Sequence, residues 1–293
     1  MIFTFVEKHC AEHTIGLMCR VLKVSRSGYY AWRVRLPTRK EHEDAALGSR
    51  IERIHRDSRG TYGAPRVTAK LHAEGVRVGN RRVGRLMRES GIQGCHRRRK
   101  KTPRTTMADP RAVPASDLVE RDFSPEAANT LWVADISYLP TREGFDYLAF
   151  VLDAYSRRCV GWAMADHLRA ELVTDALNMA LGRRDTAPGL IHHSDRGSQY
   201  SSVAFCKRLA EAGAVPSMGS VADPYDNALA EAFVATLKRE AVERAPWPTR
   251  ESVRSAVFEY IEVFYNRRRL HSALGYCSPA EFEEVRMADS VAA

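Results

Sequence analysis

No apolar stretch in this sequence approaches the ~20 residues needed to cross a bilayer. The opening MIFTFVEKHC acquires charge too soon to serve as a secretory core. Neither a membrane partner nor export is expected, and a cytoplasmic location is. The six cysteines (Cys10, Cys19, Cys95, Cys159, Cys206 and Cys277) are scattered, without a C-x-x-C pair. That argues against a zinc ribbon or a disulfide framework. His9, Cys10, His13 and Cys19 fall close together but lack a second Cys-x-x-Cys half, so a solvated helix with two semi-buried cysteines is expected there rather than zinc. A sustained heptad pattern is also missing from the N-terminal region, which argues against a coiled coil.

What is present is charge, unevenly placed. Residues 1–125 hold 27 Lys and Arg against 13 Asp and Glu, whereas the remainder holds 18 against 23, within an overall +9. A basic front half joined to an acidic back half suggests a nucleic-acid grip attached to something that concentrates carboxylates.

The front half reads as helical. Ile15, Met18, Cys19 and Leu22 recur at helical spacing, and Val24 to Gly28 supply a turn with a candidate N-cap before Tyr29, Tyr30 and Trp32. Residues 1–40 are thus expected to form a helix-turn-helix-like segment. Residues 41–95 form a second helical module, with Leu47, Ile51 and Ile54 in one stripe and Val67 with Leu71 in another. Its last helix, Asn80 to Ser90, sets Val83, Leu86 and Met87 on one side and Arg81, Arg82, Arg85 and Arg88 around much of the rest. Such a helix can pack on one face and neutralise phosphates with the other. The run from His96 to Arg104, including Arg97, Arg98 and Arg99, lacks apolar residues and opens a basic linker over 96–128.

From Thr130 the texture changes. LWVADISYL, FDYLAFVLDAY and RCVGWAMAD are three strand-like runs separated by turns at Thr141–Gly144 and Tyr155–Arg157. A helix over Ala170–Leu181, a strand LIHHSD, a helix over Ser201–Ala212, a strand at Val215–Met218 and helices over Asn227–Val242 and Thr249–Asn266 follow. A three-strand meander followed by alternating helices and strands is an α/β arrangement with the element order of a ribonuclease-H-like domain. The expected architecture is a mixed five-stranded sheet with flanking helices over 129–245, then a C-terminal helix and tail over 246–293.

Three carboxylates stand out. Asp135 shares a strand face with Leu131, Val133, Ser137 and Leu139, where an ionised acid is costly unless it is paired or bound to metal. Asp195 follows a short apolar strand, at the end where open α/β sheets bind ligands. Glu231 lies early in a helix, with Lys238 seven residues later on the same face. Asp223 and Asp226 are rival third acids, although a turn holds a ligand less rigidly than a helix does. Phosphodiester chemistry uses two divalent cations roughly 3.5–4 Å apart. A few convergent carboxylates suffice for Mg²⁺, because water and phosphate complete its shell. Asp153, at a strand-to-turn junction, is expected to pair locally. His193 suits either a substrate contact or a satisfied strand end. Arg267, Arg268 and Arg269 suit a phosphate contact or the negative end of a helix.

Asp195 and Glu231 have 35 residues between them, and Lys238 trails the glutamate. This pattern resembles the integrase core of retroviruses and bacterial insertion sequences. The words Trp132 to Tyr138, Leu152 to Arg158, His193 to Tyr200, Tyr225 to Ala228 and Tyr265 to His271 resemble OrfB transposases of two-frame insertion sequences. Tyr62 to Val67 and Arg85 to Glu89 extend the likeness upstream, so that it spans nearly the whole chain. Ala232 stands where relatives often carry serine. The resemblance implies a ribonuclease-H-like core that nicks DNA at element ends and uses the resulting 3′-hydroxyl to attack another strand. It implies Asp135, Asp195 and Glu231 as ligands of two Mg²⁺ (or Mn²⁺) ions, with Lys238 on a phosphate. It also implies double-stranded DNA (terminal repeats and target) as partner, an upstream OrfA protein or fusion, and a homo-oligomer on DNA. A ribonuclease-H-type nuclease that cuts without joining, and an inactive DNA-binding regulator or relic, are the alternatives.

Overall fold

The computed structural model describes residues 2–95, 115–120, 122–219 and 227–292. The chain divides into two compact units, Met1–Arg53 and Ile54–Ala293.

The first unit holds α1 (Ile2–Lys8), α2 (Ile15–Val21), α3 (Arg26–Val34) and most of α4 (Arg39–Asp57). Ser25 caps α3 by accepting from the Gly28 amide at 2.9 Å. Gly28 therefore lies in the first helical turn rather than in the connection where the sequence placed it. Val6, Met18, Cys19 and Tyr29 form the core of the unit, and Tyr29 donates its hydroxyl to Glu7. Cys19 is buried but Cys10 is exposed, so the two expected semi-buried cysteines part company. The expected single helix is broken there: Cys10 lies in the turn after α1, and Cys19 lies on the inward face of α2.

In the second unit α5 (Ala64–Ala73) packs against α6 (Asn80–Glu89) through Val67, Leu71, Val83, Leu86 and Met87, the stripes that periodicity marked. The sheet follows, as β1 (Leu131–Thr141), β2 (Gly144–Asp153), β3 (Cys159–Ala165), then α7 (Ala170–Arg183), β4 (Ile191–Ser194), α8 (Val203–Glu211) and β5 (Val215–Met218). Strand order is β3-β2-β1-β4-β5. The meander is antiparallel, while β4 lies parallel to β1 and β5 parallel to β4. This is the expected ribonuclease-H-like sheet, with β1 at its centre.

Each sheet face is covered separately, which is why β1 is apolar on both sides. Trp132 and Ala134 face Leu172, Val173, Ala176 and Leu177 of α7 and Phe205 and Leu209 of α8. On the other face Phe150, register partner of Asp135, meets Phe233 of α9 (Ala228–Glu240) at a ring separation of 4.7 Å. Helix α7 approaches the sheet so closely that a Cβ on Gly161 would lie 2.2 Å from the Ala176 carbonyl oxygen and 2.6 Å from the Ala180 amide nitrogen. Both neighbours are backbone and cannot rotate away. Gly161→Ala is expected to cost roughly 1–3 kcal/mol or more, as overpacking does, and a denaturation midpoint within error of wild type would refute this contact.

Beyond α9 come α10 (Arg250–Phe258), a π-helical stretch over Glu259–Tyr265 and α11 (Pro279–Ala292). The sequence suggested one α-helix from Thr249 to Asn266. The wider π turn brings Tyr260 and Ile261, then Phe264 and Tyr265, into the core as adjacent pairs. Tyr260 donates to Glu240 at 2.9 Å, and Tyr265 donates to the Arg157 carbonyl at 3.0 Å. Arg269, one of three arginines suited to phosphate on sequence grounds, is 3% exposed and grips Glu240 through two bonds of 2.8 Å. It is a structural cation, and only Arg267 and Arg268 remain at the surface. The Tyr62 hydroxyl donates to the Arg268 carbonyl and accepts from the Leu270 amide, while Arg66 donates to the Leu270 carbonyl. These bonds fasten the start of α5 to the C-terminal segment.

Candidate active site

The parallel pairing of β1 with β4 places the first two acids. Leu131, Trp132 and Val133 face Ile191, His192 and His193, a constant offset of 60. Continued along both strands, that offset sets Asp135 level with Asp195. Asp195 lies one residue past β4, at its C-terminal end. The turn after it is held by the Gly197 amide, which donates to Asp195 Oδ1 at 3.0 Å. Asp135 accepts from the Ile136 amide at 2.7 Å.

The third acid arrives on α9. Glu231 is in the first turn of this helix, where the helix dipole favours a carboxylate. The helix is tethered beside the acids, because Asn227 donates to the Ala134 carbonyl at 3.2 Å. Lys238, two turns on, sits 4.3 Å from the centre of the Tyr138 ring.

These groups feel one another. Burial, then the Asp195 charge and after it that of Glu231, push the Asp135 carboxyl up to about 7, against the Ile136 bond and Lys238, which hold it down. Partial burial raises Glu231. Burial lowers Lys238, with Asp135 opposing the shift. Like charges held in a poorly solvated site accommodate a hard cation. Among the described residues no group of three His, Cys, Asp or Glu side chains is placed so as to hold a metal ion. Asp135 feels the charge of both Asp195 and Glu231, and an ion held by such acids would complete its shell with water and phosphate oxygens.

Other candidates sort differently. Asp153 is fully buried and accepts from the Asn129 and Ser156 amides, with Arg184 3.8 Å away, the local pairing expected of it. His193 is 1% exposed and bonded to Ser217 at 2.9 Å, so it is a satisfied strand histidine. On α6, Arg81 and Arg88 are exposed and Arg82 and Arg85 half-buried. Arg85 pairs with Glu89 at 2.9 Å. Arg97, Arg98 and Arg99, with the rest of the His96–Arg104 run, lie outside the described residues, as do Asp223 and Asp226.

Two neighbours of the acids escaped sequence reasoning. The sequence marks Asn227 as the start of a helix and as part of the word Tyr225 to Ala228, without showing that its amide ties α9 to β1. Tyr200 closes the word His193 to Tyr200 and is 3% exposed, and its hydroxyl has no hydrogen-bond partner among the described residues. Burial, aided by Asp135 and Asp195, pushes its phenol well above the ordinary range. Position beside the acid-bearing turn was the available signal for both residues.

Comparison with known proteins gives the family. Family models for the integrase core domain match residues 125–224 and 212–279, and a model for an HTH-like domain matches residues 41–101. That last match covers the arginine-bearing α6. Transposase InsF for insertion sequence IS3A of Escherichia coli is 40% identical over 295 residues, covering 98% of this chain and 100% of that protein. A Mycobacterium tuberculosis protein named for the insertion sequence element IS986/IS6110 is 42% identical over 268 residues, covering 89% and 95%. Among solved structures, a simian T-cell lymphotropic virus intasome aligns with TM-score 0.44 at 14% identity, covering 80% of this chain and 74% of that one. The HTLV-2 integrase catalytic core domain in complex with magnesium aligns with TM-score 0.42 at 12% identity, covering 54% and 98%.

Proposed function

The chain belongs to the integrase-core transposases of insertion sequences, and from that premise we propose that Asp135, Asp195 and Glu231 are the metal-holding acids of DNA strand cleavage and strand transfer. The observation that carries the reading is that Asp135, on the central strand, feels the charges of Asp195, one residue past the parallel strand β4, and of Glu231 on α9.

In cleavage, a water oxygen attacks a phosphorus at the element end, and the P–O3′ bond breaks to leave a 3′-hydroxyl. In transfer, that hydroxyl attacks a phosphodiester of another strand, so one P–O bond forms as another breaks. Two Mg²⁺ or Mn²⁺ ions, when bound, would activate the attacking oxygen and stabilise the leaving one. The three acids hold and orient that charge. Lys238 contacts a phosphate near the scissile bond, with its ammonium steadied over the Tyr138 ring. The arginines at 81, 82, 85 and 88, with Arg97, Arg98 and Arg99 and with Arg267 and Arg268, bind phosphates of terminal-repeat or target DNA. An upstream OrfA protein or fusion supplies end recognition, and the active form is a homo-oligomer on DNA. In keeping with a DNA-acting protein, no helix among the described residues is long and apolar enough to cross a membrane.

The test is cleavage and joining on DNA carrying the element ends, with Mg²⁺ or Mn²⁺, for the OrfA fusion and for the separate chain. Products are expected to vanish in Asp135→Asn, Asp195→Asn and Glu231→Gln. Cutting without joined strands would favour a nuclease. A folded, end-binding fusion whose variants match wild type, or which yields no product, would leave the regulator or relic. Terminal-repeat binding by the separate chain as tight as by the fusion would remove the need for OrfA.

A further inference from the structure

The face of α9 turned largely away from Glu231 and Lys238 closes a cavity of about 410 Å³, within the roughly 300–1,000 Å³ of small-ligand clefts. Four arginines line it, Arg66, Arg157, Arg239 and Arg269, together with His271 and the first turn of α9. They come from four separate stretches of chain, all within the second unit.

Among the described residues their charge is poorly balanced. Glu240 is the carboxylate that the described residues bring into contact with them, and both of its oxygens are taken by Arg269 at 2.8 Å. Arg239 reaches Glu240 at 3.8 Å and donates to Thr236 at 3.3 Å through one terminal nitrogen, while its buried Nε has no hydrogen-bond partner among the described residues. Arg66 spends its Nε on the Leu270 carbonyl. Arg157 has no ion pair among the described residues; Asp153, which acts on it from a distance, is already held by two amides. The resulting field is felt by His271, whose imidazole is driven down to about 2 by burial and then by Arg269, Arg66 and Arg157. Guanidinium forks converging on such a space match the tetrahedral oxygens of phosphate better than any apolar ligand. The first-turn amides of α9, which the Asn227 side chain does not cap, add to the same polarity.

We propose that this cavity seats a backbone phosphate of the DNA strand. The proposal rests on the reading of α9 as the helix that carries the third acid, because a phosphate gripped here bears directly on the helix that positions Glu231. A free inorganic phosphate has the same chemistry, and the experiment separates the two sources.

The full chain would be titrated with inorganic phosphate and, separately, with a DNA duplex, following the His271 ring resonances. Duplex affinity would also be measured from 50 to 200 mM salt for wild type, Arg157→Gln and Arg239→Gln. Both titrations are expected to move His271. Each substitution is expected to lower the slope of log affinity against log salt by about 1, the share of one phosphate contact. If phosphate moves His271 but DNA does not, and the slopes are unchanged, the cavity takes an adventitious ion only and the DNA proposal falls. Resonances still under both titrations would overturn it outright, and this wild-type measurement stands even if the variants fold poorly. Asp195→Asn separates the two readings: it should abolish cleavage while leaving the His271 response to DNA intact.

Discussion

Replacing Asp135 with asparagine is expected to abolish metal-dependent cleavage while raising the melting temperature of the metal-free protein. The loss of rate should be on the order of 10³-fold or more, the scale on which removing one electrostatic group affects a charged transition state. The gain in stability comes from the same electrostatics. In the unfolded chain the Asp135 carboxyl titrates near its ordinary 3.8; in the folded chain burial, Asp195 and Glu231 push it up to about 7. A folded-state pKa above the unfolded one means that the native protein binds more protons between those values, so stability falls as pH rises from about 4 to about 7. The full shift corresponds to an upper bound of ~4 kcal/mol. Asparagine keeps the shape and an acceptor for the Ile136 amide without the charge. Its advantage should be largest at pH 8 and shrink towards pH 5. Mg²⁺ should raise the wild-type melting temperature, as a ligand of the native state does, and should do so much less in the variant. A variant that melts below wild type at pH 8, or that gains equally from Mg²⁺, would show that Asp135 is a structural partner rather than a site held ready for a cation.

The second large effect concerns the pair beneath α9. Glu240→Ala or Arg269→Ala is expected to destabilise the second unit by roughly 3–5 kcal/mol, because each leaves its partner charged, buried and unpaired. For a unit of this size that amounts to a fall of roughly 6–20 °C in melting temperature. The pair joins α9 to the segment after the π turn, and Tyr260 adds a hydrogen bond to the same carboxylate. Arg269 holds Glu240 below the usual carboxylate range. Stability from this contact is therefore present above the unfolded pKa of Glu240 and is lost as pH falls through the folded one. The double replacement Glu240→Leu with Arg269→Met should cost much less than either single change, since no charge is left stranded. Calorimetry of the three variants decides the matter: single variants within about 1 kcal/mol of wild type would place this pair with weak surface ion pairs.

Much of the architecture was legible because it is written in local periodicity. Alternation along Leu131 to Leu139 reports a strand whether or not its partners are known, and the stripe Val83, Leu86, Met87 reports the buried side of a helix. The spacing of Asp135, Asp195, Glu231 and Lys238 is likewise a property of the chain itself, and with the surrounding words it led to the family. Tertiary structure decided what depends on distant neighbours. The offset that brings Asp135 level with Asp195 follows from which strands pair in parallel. Arg267, Arg268 and Arg269 are indistinguishable in the sequence; only the placement of Glu240, 29 residues earlier, makes the third a buried structural cation. His193 was open between two roles until Ser217, 24 residues on, satisfied it. The arginines at 66, 157, 239 and 269 share no spacing that would announce a common cavity. The physical reason is the same in each case: the cost of burying a charge is set by the groups packed around it, and the fold, not the neighbouring residues in the chain, chooses those groups.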